Sequence, residues 1–454
     1  MNLPSFFIAD LPREATLTGP MLTEACQTLK RNRERYLANR STPGIVSLLS
    51  SVAADWLKPE FPFRRLALDQ GPAETGFSSR TIAKGLDRLF CQLTAANFKA
   101  LLEQDLGSAE RLDRMSANAG EQNAGRAALV RGPELLVHIT AGNVPAPALM
   151  SMVLGVLVRS AQFVKCASGA AFLPRLFAHS LYDADPKLGA CIEIAEWRGG
   201  HHPLENVLFE AADCVTATGA DKTLTEIAHR LPANVRFLRY GLRVSFGYIS
   251  AEVLSGFTAR RMVERAVEDI VAWNQLGCLS PHVIYVQAGG TVGPEMFAEM
   301  LADGLRDREE SDPRGELTHE AAAAIASRRG IYEIRAAHSP GTRHWHSKES
   351  TAWTVVYEAD PQFQFSCLNR FIYIKPVKDL TEALQNADSV RGQVSTVGLG
   401  APEHRQQELA TELARWGATR VCPLGRMQEP PLTWHHDGGP ALGDLITWTD
   451  WEPG

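Results

Sequence analysis

The sequence predicts an α/β protein of two domains, each built on a doubly wound parallel sheet, with a short C-terminal tail. Three observations lead there. The chain has 454 residues, too many for one ordinary core. From Leu135 onward, short apolar segments alternate with helix-like ones, the pattern of parallel strands buried on both faces. Near residue 250 the alternation starts afresh with a new helix, which marks a second unit.

Residues 1 to about 115 read as helical. In TIAKGLDRLFCQLTAANFKALLEQ, Ile82, Leu86, Leu89, Phe90 and Leu93 recur at three- and four-residue steps. SANAGEQNAG (116–125) is a polar break. AALVRGPELLVHI then reads as two short strands around Arg131-Gly132-Pro133, a hairpin signal. LLVHIT, QFVKCAS, CIEIAEW and DCVTAT read as strands; ALMSMVLGVLV, FLPRLFAHSLYDAD and KTLTEIAHRL read as helices. In the second unit TARRMVERAVEDIVAWN is a helix, HVIYV and FIYIKPV are strands, and HRQQELATELARWG is a further helix.

Composition narrows the function. Hydrophobic residues make up 45% and charged residues 22%, as in a globular protein. A net charge of −6 argues against nucleic acid or an anionic membrane as the main partner. Eight cysteines with no C-x-x-C pair suit free thiols in a reducing compartment. The N-terminus carries Asp10 and Glu14 and lacks the order of a signal peptide, and VPAPALMSMVLGVLV is short for a membrane span. The expected location is the cytoplasm.

Four places could carry chemistry. Thr140-Ala-Gly-Asn143-Val-Pro follows a strand and precedes a helix, where small residues admit a ligand and unpaired N–H groups suit an anion. Asn143 could equally cap that helix. Lys165 ends an apolar strand, where a lysine reaches either solvent or a ligand. Thr218-Gly219 repeats the strand–turn–helix arrangement, so two such strand ends point to a nucleotide crevice, although no G-x-G-x-x-G is present. Cys278, in AWNQLGCLSPHVIYV, sits in a kinked connection between a helix and a strand, where a thiol packs little and reacts easily.

In this order and spacing TAGNVPAP, VKCAS, TATG and NQLGCLSPH, with the tail WHHDGGPALGDLITW (434–448), resemble the aldehyde dehydrogenase superfamily. Within it they are most similar to the acyl-CoA reductase branch that includes the fatty-acid reductase of luminous bacteria. The resemblance spans roughly residues 75 to 454 and implies an aldehyde dehydrogenase-like α/β fold with small oligomerisation elements. It implies a nucleotide-binding domain over 1–248 (oligomerisation hairpin about 127–139), a catalytic domain over 249–425 and a tail over 426–454. Cys278 would be the nucleophile in a cleft between the domains, with Asn143 and its own N–H as oxyanion hole. Thr140, Lys165, Ser168, Thr218 and Gly219 would line the cofactor site. Ser168 stands where NAD-preferring relatives often have a glutamate, so NADPH is expected, with NADH as the alternative.

The implied reaction is reduction of an acyl-CoA or acyl-protein thioester to the aldehyde through an acyl-Cys278 intermediate, with no metal. Its rival is reduction of an acyl adenylate or acyl phosphate handed over by a partner acyl-activating enzyme. A non-catalytic nucleotide-binding scaffold is the remote reading. A homo-oligomer is expected by analogy. Two departures matter. The glutamate that activates water in hydrolytic relatives has no counterpart, since no acid lies between Glu226 and Glu252. E-x-F-G-P, which holds the nicotinamide ribose, has no match in QFQFSCLNRF (362–371). His282 is expected to be structural, with a leaving-group acid as its other role. His435-His436-Asp437 could shape the acyl or CoA entrance or simply cap a loop, and His344 and His346 have alternate-residue spacing but no third metal ligand nearby.

Overall fold

The computed structural model describes residues 3–12 and 14–452. They form two compact units: the chain up to Thr75 with Leu86–Gly241 and the tail from Pro431, and Gly76–Gly85 with Leu242–Pro430.

The first unit opens with helices, among them Gly19–Tyr36, Thr42–Trp56, Ser79–Phe90 (which runs on from the second unit's segment) and Ala95–Leu106. Local chemistry sets their ends. Thr94 accepts from the Asn97 N–H, and Gly107 ends the same helix at φ 71°, a conformation glycine adopts without steric cost. Six strands follow: β1 (Ala127–Arg131), β2 (Leu135–Ile139), β3 (Ala161–Cys166), β4 (Ile192–Glu196), β5 (Cys214–Thr218) and β6 (Arg236–Tyr240). β2 to β6 make a parallel sheet in the order β4-β3-β2-β5-β6. On one face it packs against the helices Gly19–Tyr36, His202–Ala211 and Asp221–Arg230 through Leu22, Leu29, Leu208, Phe209 and Ile227.

The expected hairpin at 127–139 is corrected. Both strands exist, but the chain turns away at Gly132-Pro133. There a Cβ on Gly132 would lie 2.3 Å from the Val158 carbonyl oxygen. β1 pairs antiparallel with the C-terminal strand β14 (Thr447–Trp451), while β2 enters the parallel sheet. Trp448 and Trp451 stand exposed on that ribbon.

The second unit holds β7 (Val244–Ile249), β8 (Pro281–Gln287), β9 (Thr342–His346), β10 (Thr354–Glu358), β11 (Phe371–Val377), β12 (Val394–Gly400) and β13 (Val421–Pro423). Their order is β13-β12-β7-β8-β11-β10-β9, with β9 alone antiparallel to its neighbour. Both faces are covered, by the helices Gly256–Val271 and Pro294–Ser311 on one side and by His319–His338, Leu380–Asn386 and Glu403–Trp416 on the other. This explains why β8 and β11 read as continuous apolar runs. The expected boundary near 248 falls inside β7, which belongs wholly to this second sheet. Among the described residues no helix is long and apolar enough to cross a membrane.

Candidate active site

In the first unit the strand order reverses beside β2: β3 and β4 lie on one side, β5 and β6 on the other. Ligands of open α/β sheets bind at the carboxyl ends of strands at such a point. A small cavity of about 20 Å³ lies there, lined by Thr140, Asn143 and Thr218 together with His138, Ser151 and Thr216. Three of the residues expected from the sequence thus meet. Pro145 stands at the N-cap position of the following helix without a side-chain cap, and Asn143 is exposed two residues before it.

The floor of this cavity is rigid. His138 is buried between Thr216 Oγ1 at 2.7 Å and Gln162 Oε1 at 3.0 Å. Gln162 Nε2 donates to the Met152 carbonyl, which turns Oε1 toward the imidazole. His138 therefore donates from Nε2 and accepts from the threonine hydroxyl at Nδ1. Gly155 makes room, since a Cβ there would meet the Gln162 side chain at 2.4 Å. Burial pushes His138 down to about 4. The unfolded chain then binds the extra proton between pH 6.5 and 4, so this contribution to stability is lost as pH falls through that window. Denaturant unfolding should show about 2 kcal/mol lost from this group between pH 7 and 5, absent in His138→Gln.

Lys165, the penultimate residue of β3, is 2% exposed, and Thr140 donates its N–H to the Lys165 carbonyl at 3.1 Å. Its ammonium lies 5.7 Å from the Trp197 ring centre, with no carboxylate at ion-pairing distance among the described residues. Burial draws it below the ordinary lysine range. A buried cation that Glu205 and Glu196 favour only from beyond ion-pairing distance, beside small residues, fits the hydroxyls and phosphates of a nucleotide. Ser168 is exposed in the next loop, which Glu196 ties down by accepting from Gly169 N (2.7 Å) and Ala171 N (3.2 Å). Gly219 gives its N–H to the Tyr240 carbonyl at 3.2 Å, while the space beside its Cα stays open.

Sequence reasoning missed Arg198. Cys166 pairs with Glu196 across β3 and β4, so Ser168 and the exposed Arg198 each follow the same rung by two residues. Only the strand pairing makes that visible. His435 and His436 also belong to this unit, where His436 stacks on Tyr240 at 4.8 Å.

In the second unit Cys278 lies half-buried in the turn before β8, at the amino end of the sheet. Ser245 Oγ, at the start of β7, donates to the Cys278 carbonyl at 2.7 Å, and Ser280 N closes the turn onto Gly277 O at 3.0 Å. Three consecutive non-glycine residues before it are left-handed: Trp273 (φ 48°), Asn274 (φ 51°) and Gln275 (φ 65°). Such a run costs roughly 1–2 kcal/mol per residue, so surrounding contacts must hold it. Trp273 is packed against Phe77 (5.1 Å, edge-on) and against Gly85, where a Cβ would come within 1.9 Å of the indole. Gln275 Nε2 donates to the Pro281 and Phe371 carbonyls at 2.7 and 2.8 Å.

The other thiols are different. Burial pushes Cys26, Cys166, Cys191, Cys214 and Cys422 up to about 12, and Cys367 also upward. None of these is a thiolate at neutral pH, whereas nucleophilic chemistry needs one. His282 accepts the Ser366 N–H at Nδ1 (3.1 Å), so its proton sits on Nε2, and burial holds it down at about 4. A ring kept neutral to that degree is a poor proton donor near pH 7.

The parallel sheet with its switch-point crevice in one unit, and the sheet with Cys278 in the turn before β8 in the other, make an aldehyde dehydrogenase-like fold. Solved structures agree on the fold. A NAD-dependent benzaldehyde dehydrogenase from Corynebacterium glutamicum superposes with TM-score 0.68 at 12% identity, over 96% of this chain and 91% of that one. Bradyrhizobium japonicum proline utilization A gives 0.73 at 15% identity over 96% of this chain, which spans 45% of that longer protein. The chain belongs to the acyl-CoA reductase (LuxC) family, whose match covers residues 37–448. Relatives include long-chain acyl-protein thioester reductase 2 of Photobacterium leiognathi, 24% identical over 97% of this chain and 89% of its own length. The long-chain acyl-protein thioester reductase of Aliivibrio fischeri is 23% identical over 90% of this chain and 82% of its own. Fold and family together imply a nicotinamide cofactor.

Proposed function

We propose that this chain reduces an activated acyl group to the aldehyde through a thioester on Cys278, using NADPH. The observation that carries the reading is the setting of Cys278, a half-buried thiol in a turn held by specific contacts, while burial suppresses six of its fellows. The Cys278 thiolate attacks the acyl carbon, and Asn143 with the Cys278 N–H stabilises the oxyanion before the donor's leaving group departs. Bound NADPH would supply the hydride that the thioester accepts. Thr140, Lys165, Ser168 and Thr218 are the residues assigned to hold it. With no acid between Glu226 and Glu252, the chain supplies no carboxylate from that stretch to activate water, and the thioester persists until it is reduced.

The relatives' names favour a long-chain acyl-protein thioester over acyl-CoA as donor, and an acyl-activating partner would supply it. Intact mass after incubation with an acyl-protein thioester, with acyl-CoAs, or with acyl adenylates distinguishes these donors and the adenylate alternative. An adduct that NADPH discharges as aldehyde supports the reading; an adduct that persists in Cys278→Ala defeats it. The NADPH preference rests on Ser168, which leaves space and no negative charge for a 2′-phosphate, and on the exposed Arg198, which follows the adjoining strand at the equivalent position. Ser168→Glu should raise KM for NADPH by about tenfold or more and leave that for NADH nearly unchanged. Equal changes for both cofactors would remove Ser168 from the 2′-phosphate site. The exposed β1–β14 ribbon, with Trp448 and Trp451, is the surface assigned to homo-oligomer contact.

A further inference from the structure

The left-handed run before Cys278 faces a second one. Leu368 (φ 58°), Asn369 (φ 55°) and Arg370 (φ 64°) repeat the same strained conformation just before β11. This is the segment in which the family's ribose motif finds no match. The two runs are joined side chain to backbone and side chain to side chain. Phe371 N donates to Gln275 Oε1 at 2.8 Å. The Arg370 guanidinium, 1% exposed, gives both Nε (3.2 Å) and Nη2 (3.0 Å) to Asn274 Oδ1. Its third nitrogen, Nη1, binds Glu309 Oε2 and the Asp312 carbonyl, each at 2.8 Å. Asn274 Nδ2 in turn donates to the Arg314 carbonyl at 2.7 Å.

A buried guanidinium is costly unless its charge and its donors are all used, and here its fork is spent on one asparagine oxygen. That asparagine sits in the middle of the strained run, four residues before Cys278. Left to itself the backbone would relax toward the right-handed region and carry the Cys278 turn with it.

We infer that Arg370 is a positioning residue for the nucleophile: through Asn274 it holds 273–275 in the left-handed path that sets where the Cys278 thiol stands. The inference rests on Cys278 being the nucleophile. Arg370→Lys keeps a charge for Glu309 but cannot fork onto Asn274. Asn274→Gly removes the acceptor and leaves two buried guanidinium donors unpaired, while glycine takes φ near +51° without cost, so with wild-type circular dichroism the loss it reports is that of the contact. The measurement is the rate of Cys278 alkylation by iodoacetamide across pH, alongside KM and kcat with an acyl thioester and the circular dichroism of each variant.

Both variants should keep wild-type circular dichroism and KM, alkylate Cys278 with a changed rate or a displaced pH midpoint, and lose about 10–100-fold in kcat. Wild-type alkylation profiles and kcat in both would overturn the inference. Should Arg370→Lys not fold, Asn274→Gly decides on the same criteria. Cys278→Ser separates the two levels. A fully active Cys278→Ser overturns function and inference together, and an inactive one beside wild-type Arg370 and Asn274 variants overturns the inference alone.

Discussion

Cys278→Ala should lower aldehyde formation by at least about 10⁴-fold, because without a nucleophile the two-step route through a thioester is closed. The same substitution should leave the melting temperature within a degree or two of wild type. The side chain is half-buried in a turn, so its removal empties no core, and the contact that fixes the turn, from Ser245 Oγ, goes to a backbone carbonyl that alanine retains. Steady-state aldehyde production and thermal denaturation on one preparation check both halves. A comparable loss from Cys367→Ala or Cys422→Ala would contradict the assignment, since burial keeps both thiols protonated.

Asn143→Ala should cost about 10²–10³-fold in kcat while KM for the acyl donor changes little, the pattern of a donor whose bond forms mainly in the transition state. NADPH affinity should be close to wild type, because Lys165 and Thr218 remain. Asn143→Asp is the sharper variant. It keeps the shape but sets a carboxylate where negative charge develops, so it should fall below the alanine variant. A rise in KM with unchanged kcat would instead make Asn143 a ground-state binding residue of the cavity it lines with Thr140 and Thr218. Single-turnover reduction of preformed acyl-enzyme would show whether the loss lies in acylation or in hydride acceptance.

Neighbouring residues made much of this legible. The apolar periodicity of 79–93, the β-branched runs at 135–139 and 281–287, and the small residues after β2 and β5 each report on their own segment, since helix and strand periods are local properties. The kink before Cys278 was visible as Gly277 and Ser280-Pro281, and the family's motifs gave it a meaning. The hairpin at 127–139 failed for a non-local reason. Gly132-Pro133 interrupts the chain as a turn would, but whether the flanking strands meet depends on what else is free to pair, and β14 lies more than 300 residues away.

The sequence by itself determined the fold class, the alternation that builds the two sheets, and the strand ends that meet at the crevice. Tertiary structure alone decided what holds them. That His138 is neutral follows from its burial within the sheet, where Gln162 and Thr216 on the two neighbouring strands fix which ring nitrogen carries the proton. That Ser168 and Arg198 each lie two residues past the same rung, Cys166 with Glu196, follows from register, which no single segment contains. That Asn274 and Arg370 lock two strained runs together is a contact across 96 positions. Left-handed backbone at six non-glycine residues is unfavourable locally, so local sequence argues against it, and only packing from distant parts of the chain can impose it.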